Sequence, residues 1–198
     1  GEIASLYKNG ELIIAPAYQR LIRWGESQKT RFVESILLGL PVPPVFVFQR
    51  EDGVWELIDG LQRISTALHL MGVLTVNGEL MEPLVLSGTN FLPSLEDMKW
   101  SSSDAGDKNV FNTPLQLEIK RARIRVEILR KESDHDAKYE LFQRLNTGGS
   151  KLSDQEVRNS VLVMLNENFF RWIRDRSTKQ EFKDSIQLTS TQEELAQD

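Results

Sequence analysis

At 198 residues the chain has room for one domain, or one domain with a helical appendage. Its 24 Lys+Arg against 29 Asp+Glu give a net charge of −5, which argues against a broad basic face for nonspecific DNA binding. It has no cysteine and two histidines, His69 and His135, which excludes a disulfide frame, a thiolate metal site and a histidine-rich metal centre. No run approaches the roughly 18 apolar residues of a membrane span, and no basic-plus-apolar leader opens the chain. A cytoplasmic protein is the expectation.

The first residues hold a short amphipathic piece, Ile3 to Tyr7, and a turn at Asn9-Gly10. An apolar strand from Leu12 to Ala15 leads to Pro16 and Tyr18-Gln19-Arg20. A helix is predicted from Ser27 as N-cap to a stop at Gly39, with Phe32, Val33, Ile36, Leu37 and Leu40 on its apolar face. Val45 to Phe48 reads as a strand, Glu51-Asp52-Gly53 as a turn, and Val54 to Ile58 as the hairpin partner. The run then stops at Asp59-Gly60. Ile64, Ala67, Leu68 and Met71 recur at helical spacing after it, so the pattern is strand, tight turn, helix. Asn77-Gly78 marks a second hairpin. Ser101 to Asn109 reads as a mobile loop.

Ala122, Ile124, Val126 and Ile128 alternate with Arg121, Arg123, Arg125 and Glu127, which predicts a strand with one buried and one charged face. Ser133-Asp134 opens a helix through Leu145 that Asn146-Thr147-Gly148-Gly149 ends. Ser153 and Glu156 form a capping-box pattern for the next helix, whose stripe runs on through Leu165, Phe169, Trp172 and Ile173. The polar tail after Thr178 reads as a further, truncated helix. Strands mixed with helices come first and mostly helix follows, so the class is α+β.

The turn after Ile58 is where chemistry is expected. A helix start offers unpaired N–H groups and the positive end of the dipole, and Arg63 adds a cation in the first turn. That combination suits phosphate; the competing reading of Arg63 is a surface ion pair. Gly60 serves a positive φ or the close approach of a ligand. Asp59 either caps the helix or holds Mg²⁺ through water and orients an attacking water. Gln62, Ser65 and Thr66 are ligand contacts from the first turn, or a solvated residue and two hydroxyls facing neighbouring helices. Arg20, beside Gln19, either adds a second charge to the same ligand or fixes the N-terminal segment in a salt bridge. Trp24 fits core packing better than base stacking, and His69 fits a packed core position. Arg121, Arg123 and Arg125 form a nucleic-acid track or a solvated strand face.

Three stretches carry a family resemblance. Pro16-Ala17-Tyr18-Gln19-Arg20 with Trp24 resembles a P-x-[YF]-Q-R-x-x-x-W motif. Ile58-Asp59-Gly60-Leu61-Gln62-Arg63-Ile64-Ser65-Thr66 resembles an I-D-G-Q-Q-R-L-T-T signature. Phe142-Gln143-Arg144-Leu145-Asn146-Thr147-Gly148-Gly149, followed by Leu152 and Glu156, resembles F-x-R-L-N-T-G-G-x-x-L-x-x-x-E. Together they resemble the N-terminal domain of GmrSD-type, modification-dependent restriction proteins, of the ParB/sulfiredoxin-like superfamily.

The resemblance implies a ParB-like core over residues 1–131 and a helical extension over 132–198. It implies a bound nucleoside triphosphate with Mg²⁺, and hydrolysis at Asp59, Gln62 and Arg63. Gln19, Arg20, Gly60, Ser65, Thr66, Arg144 and Asn146 would then be further phosphate or nucleotide contacts. Arg144 and Asn146 also suit a plain helix end. A downstream HNH nuclease domain or partner subunit, phage defence in a bacterium, and DNA contact through the full-length protein also follow. Leu61 departs from the signature, standing where the first Gln is usual. The rival readings are a non-enzymatic DNA-binding module that senses modified DNA, and a domain that itself nicks DNA.

Overall fold

A computed structural model describes residues 1–15, 22–104, 106–130, 162 and 166–185. The expected α+β class holds: a small mixed sheet with helices around and after it, as in the ParB/sulfiredoxin-like architecture. The chain divides into two compact units, Gly1–Leu145 and Asn146–Asp198.

In the first unit, helix α1 (Glu2–Lys8) turns at Gly10 into strand β1 (Leu12–Ile13). Helix α2 (Glu26–Leu37) follows. Its N-cap is Gly25, not Ser27: the Gln28 side chain reaches back and accepts the Gly25 N–H at 3.1 Å. Because the helix starts earlier than the apolar pattern does, its first turn is polar and exposed. Phe32 and Val33 are buried as expected, whereas Leu40 lies beyond the helix end and is exposed. Strands β2 (Val45–Gln49) and β3 (Trp55–Asp59) form the expected hairpin about Gly53. Helix α3 (Leu61–Leu70) leaves β3 through Gly60 alone. Strands β4 (Thr75–Val76) and β5 (Glu79–Leu80) close over Asn77-Gly78, both at positive φ, the geometry that dipeptide favours.

The stretch 113–121 is a helix, α4 (Thr113–Arg121), capped by Asn112, which accepts the Leu115 N–H at 3.0 Å. The expected strand is cut short at its start and loses its arginine face. Arg121 ends α4, residues 122–125 are a connection, and strand β6 spans only Val126–Leu129. Ile128, expected in the core, is exposed. Alternation does continue from Arg121 to Val126, so the period was present without the strand.

The four-stranded sheet runs β1-β3-β2-β6, with the central β3–β2 pair antiparallel and both outer pairs parallel. Val45 and Val47 are buried on β2, and Leu57 and Ile58 on β3. The register shifts between Phe46 and Val47, opposite the end of β3 at Asp59. This irregularity in the ladder lies beside the turn into α3. Seven of the ten α3 residues are buried, so this helix is embedded in the core. A second core joins Val33 and Leu70 to Leu84, Leu86, Leu95, Phe111 and Ile119.

Residues 87–97 form a loop held by side chains rather than by strands. Thr30 accepts the Ser87 N–H at 3.0 Å. Glu96 accepts those of Gly88 and Thr89, and Glu34 those of Asn90, Phe91 and Leu92. Six consecutive N–H groups are thereby taken by three side chains. The predicted mobile loop at 101–109 is also tied down. Lys99 pairs with Asp107 and forms bridges with Val85 and Val110. The Lys99 ammonium, the Asn109 N–H and the Ser102 hydroxyl pull the Asp107 carboxyl down to about 2.

In the second unit, α5 (Glu167–Ser177) starts at Asn166, which accepts the Phe169 N–H at 2.9 Å. The apolar stripe through Phe169 and Trp172 therefore belongs to a helix with its own cap. Phe169 and Trp172 stack at 5.9 Å, and α6 (Gln180–Ser185) follows, as the polar tail predicted. The predicted elements between Ser133 and Val161 lie outside the described residues.

Candidate functional site

The strand–turn–helix at Asp59–Arg63 is built by one residue that could not be otherwise. Gly60 has φ +92°, and a Cβ on it would stand 2.4 Å from Val45 Cγ1. Both reasons for glycine hold, but the close neighbour is the buried β2 valine rather than a ligand. The left-handed residue reverses the chain so sharply that α3 begins at Leu61 with no side-chain cap. Leu61 itself is half-buried at the first helical position.

Arg63 folds back along the helix, the direction helical side chains favour. Its Nη2 donates to Asp59 Oδ2 at 2.9 Å and to the Pro44 carbonyl at 3.2 Å. The same nitrogen lies 3.2 Å from where a Gly60 Cβ would be, so the cation sits against the turn. Its side chain is only 17% exposed. Arg63 Nε is buried and has no hydrogen-bond partner among the described residues. An orphaned donor on a charged, largely buried group is costly, and such a group calls for a water, an ion or a ligand as its acceptor. Asp59, the other half of the pair, is 37% exposed and caps nothing.

Gln62 points elsewhere. Its Oε1 accepts the N–H groups of Arg23 at 3.0 Å and Trp24 at 3.1 Å. This stitches the end of the N-terminal motif to the signature turn, a contact between two motifs nearly forty residues apart that no local pattern reports. Trp24 is half-buried and tilts against Phe32 at 5.7 Å, the packing role expected of it. Ser65 and Thr66 are buried, and both hydroxyls donate to the Gln62 carbonyl, at 3.2 and 2.7 Å. In this geometry they brace the first turn from within. Gln19, Arg20, Arg144 and Asn146 lie outside the described residues.

His69 is the packed histidine expected. It is 7% exposed, Nε2 meets the Glu82 carbonyl at 2.7 Å, and Nδ1 lies 3.4 Å from Lys29 Nζ. Burial, and the nearby Lys29 charge, push its pKa down against the Glu82 hydrogen bond, so the ring is neutral near pH 7. Burial likewise lowers Lys29. Of the three candidate nucleic-acid arginines, Arg125 pairs with Glu127 at 2.6 Å, while Arg121 and Arg123 line a cavity away from the turn.

Sequence reasoning passed over Glu34. It is 1% exposed in the middle of α2, and its carboxylate gathers three backbone N–H groups. Burial alone would raise its pKa. The donors from Leu92, Phe91 and Asn90, with Arg31 nearby, outweigh that and hold it low. Glu26, Thr30 and Glu34 repeat every four residues, a visible polar stripe, but solvated helix faces look the same.

Among the described residues, no group of three or more His, Cys, Asp or Glu is placed to hold a metal ion. No described helix is long and apolar enough to cross a membrane.

These features define a mixed α+β domain organised around a glycine-enforced turn with a cation over a helix start. The family profile of the GmrSD restriction endonuclease N-terminal domain matches residues 2–163, and the chain belongs to that family of restriction and phage-defence proteins. No curated protein and no solved structure matches the chain.

Proposed function

We propose that this is a nucleoside-triphosphate-binding regulatory domain of a bacterial restriction protein, with phosphate held at the Asp59–Arg63 turn. The observation that carries this reading is Arg63 Nε, a buried donor without a partner among the described residues, beside a helix start with no side-chain cap. A phosphate oxygen would accept from that donor and from the free end of the helix. It would compete with Asp59 for the guanidinium, and release of Asp59 is then the local event that binding produces. Hydrolysis would use Asp59 to orient water. Gln62, fixed on Arg23 and Trp24, would transmit the state of the turn to the N-terminal motif.

Asp59 is paired with Arg63, so in this reading it meets Mg²⁺ only once that pair opens. Mg²⁺ would arrive coordinated by the phosphates. In the cytoplasm of the cell, the full-length protein would bring this domain to DNA together with a nuclease domain or subunit.

The test is a thermal-shift screen of ATP, GTP, CTP and UTP, with and without Mg²⁺, on the wild type and Arg63→Ala. A ligand at about 100 times its Kd stabilises by about 2.7 kcal/mol, a visible shift. The reading requires a shift with at least one nucleotide that Arg63→Ala removes. Absence of any shift in the folded wild type would sink it. Asp59→Asn separates binding from turnover: with the competing carboxylate gone, nucleotide is expected to bind about fivefold tighter, near 1 kcal/mol. Released phosphate in that variant is expected to fall at least tenfold. Unchanged turnover would remove Asp59 from the reaction.

A further inference from the structure

A cavity of about 500 Å³ opens between α1, the end of α3 and the end of α4. Its apolar lining comes from separate elements: Ile3 of α1, Ile36 of α2, Leu68 of α3 and Met71 just after it, Ile119 of α4, and Val126 of β6. That volume lies in the range of small-molecule sites. The charged side chains that line it are unevenly signed: Lys120, Arg121 and Arg123 against Glu2. In a chain of net charge −5, that is a local excess of cations. Lys120 is engaged over the Trp100 ring at 5.5 Å. Arg121 and Arg123 are exposed, and the side chain of neither makes a hydrogen bond or ion pair among the described residues.

A packing gap within a core is apolar on all sides and stays dry. This one has an apolar interior and two uncommitted guanidiniums among its lining groups. We propose that it is a second ligand site, which takes a small amphipathic anion: an apolar body among Leu68, Met71 and Ile119, and a carboxylate, sulfonate or phosphate at Arg121 and Arg123. None of Asp59, Gly60, Gln62 or Arg63 lines it. It grips the far end of α3, seven residues or about 10 Å along the helix from the signature turn. This gives Arg121 and Arg123 a ligand-binding role in place of the strand-borne nucleic-acid track. Arg125 is paired with Glu127 and does not line the cavity.

The probe is 8-anilinonaphthalene-1-sulfonate, an aromatic body with one sulfonate, titrated by fluorescence and displaced with decanoate. Saturable binding to the wild type is expected, with decanoate displacing it. The double variant Arg121→Ala/Arg123→Ala, which removes exposed and unpaired groups, should keep its circular dichroism and bind at least tenfold more weakly. Ala67→Phe, which fills the cavity from the α3 side, should abolish binding, and Arg63→Ala should leave it unchanged. No saturable binding, or binding that survives in both cavity variants (for instance at the exposed Phe169–Trp172 stack), overturns the proposal. If ATP displaces the probe and does so equally in Arg63→Ala, the cavity stands as an anion site and the turn falls as the phosphate site.

Discussion

Gly60→Ala is expected to destabilise the protein by about 2–5 kcal/mol, although it adds one methyl group. Two costs add. Alanine at φ +92° is strained by roughly 1–2 kcal/mol. Its Cβ would also meet Val45 Cγ1 at 2.4 Å and Val45 Cβ at 2.9 Å. Val45 is a β-branched residue on a paired strand, 1% exposed, so it cannot swing away. Overpacking of this kind costs typically 1–3 kcal/mol. Urea denaturation measures the sum. The double variant Gly60→Ala/Val45→Ala apportions it: relief of the clash should make the pair at least 1 kcal/mol less damaging than the two single losses together. Strict additivity would mean that the backbone angle alone demands glycine. A loss below 1 kcal/mol would show that the turn relaxes, and the rigid placement of Arg63 would go with it.

Glu34→Ala is expected to cost roughly 2–4 kcal/mol, because it strips the acceptor from three neighbouring N–H groups while leaving them in place. Glu34→Gln keeps one acceptor oxygen and should lose about half as much. The pH dependence identifies the carboxylate. Its folded pKa is depressed, so its contribution is fully present above the unfolded value of about 4.3. It is lost as pH falls through the lower folded value. Wild-type stability should therefore drop more steeply than that of Glu34→Gln from about pH 5 downward. Glu96 and Asp107 are also depressed and contribute acid sensitivity to both proteins, so the difference between the two curves isolates Glu34. Parallel curves would show that Glu34 gains nothing from its charge. Amide exchange at residues 90–92 should accelerate in Glu34→Ala, since those N–H groups lose their partner.

Helix α4 was the element most plainly open to a reader of the sequence and missed. Asn112-Thr113-Pro114 is a cap followed by a proline in the first turn, with Leu115 and Ile119 four apart behind it. The alternation from Arg121 drew attention past it. That alternation reflects a chain running over the protein surface with every second side chain turned inward, which requires no strand partner. Only four residues, 126–129, find one in β2. The displaced cap of α2 has a similar origin: Ser27 is a good capping residue, but the reciprocal Gln28 contact selected Gly25.

The sequence by itself determined the β3–Gly60–α3 turn, both hairpin turns, the α+β class and the family. Each depends on neighbours in the chain: an apolar run, a residue with no Cβ, a period of 3.6, a signature in order. What surrounds that turn was decided by contacts between residues far apart. Val45 is fifteen residues from Gly60 and makes its second demand for glycine. Pro44 and Asp59 hold Arg63, and Gln62 holds Arg23 and Trp24. Glu34 binds a loop more than fifty residues away. A polar side chain has the same local pattern whether it faces water, a backbone amide or a phosphate. Which of these it meets is settled only when burial removes the water and leaves the remaining partners to compete.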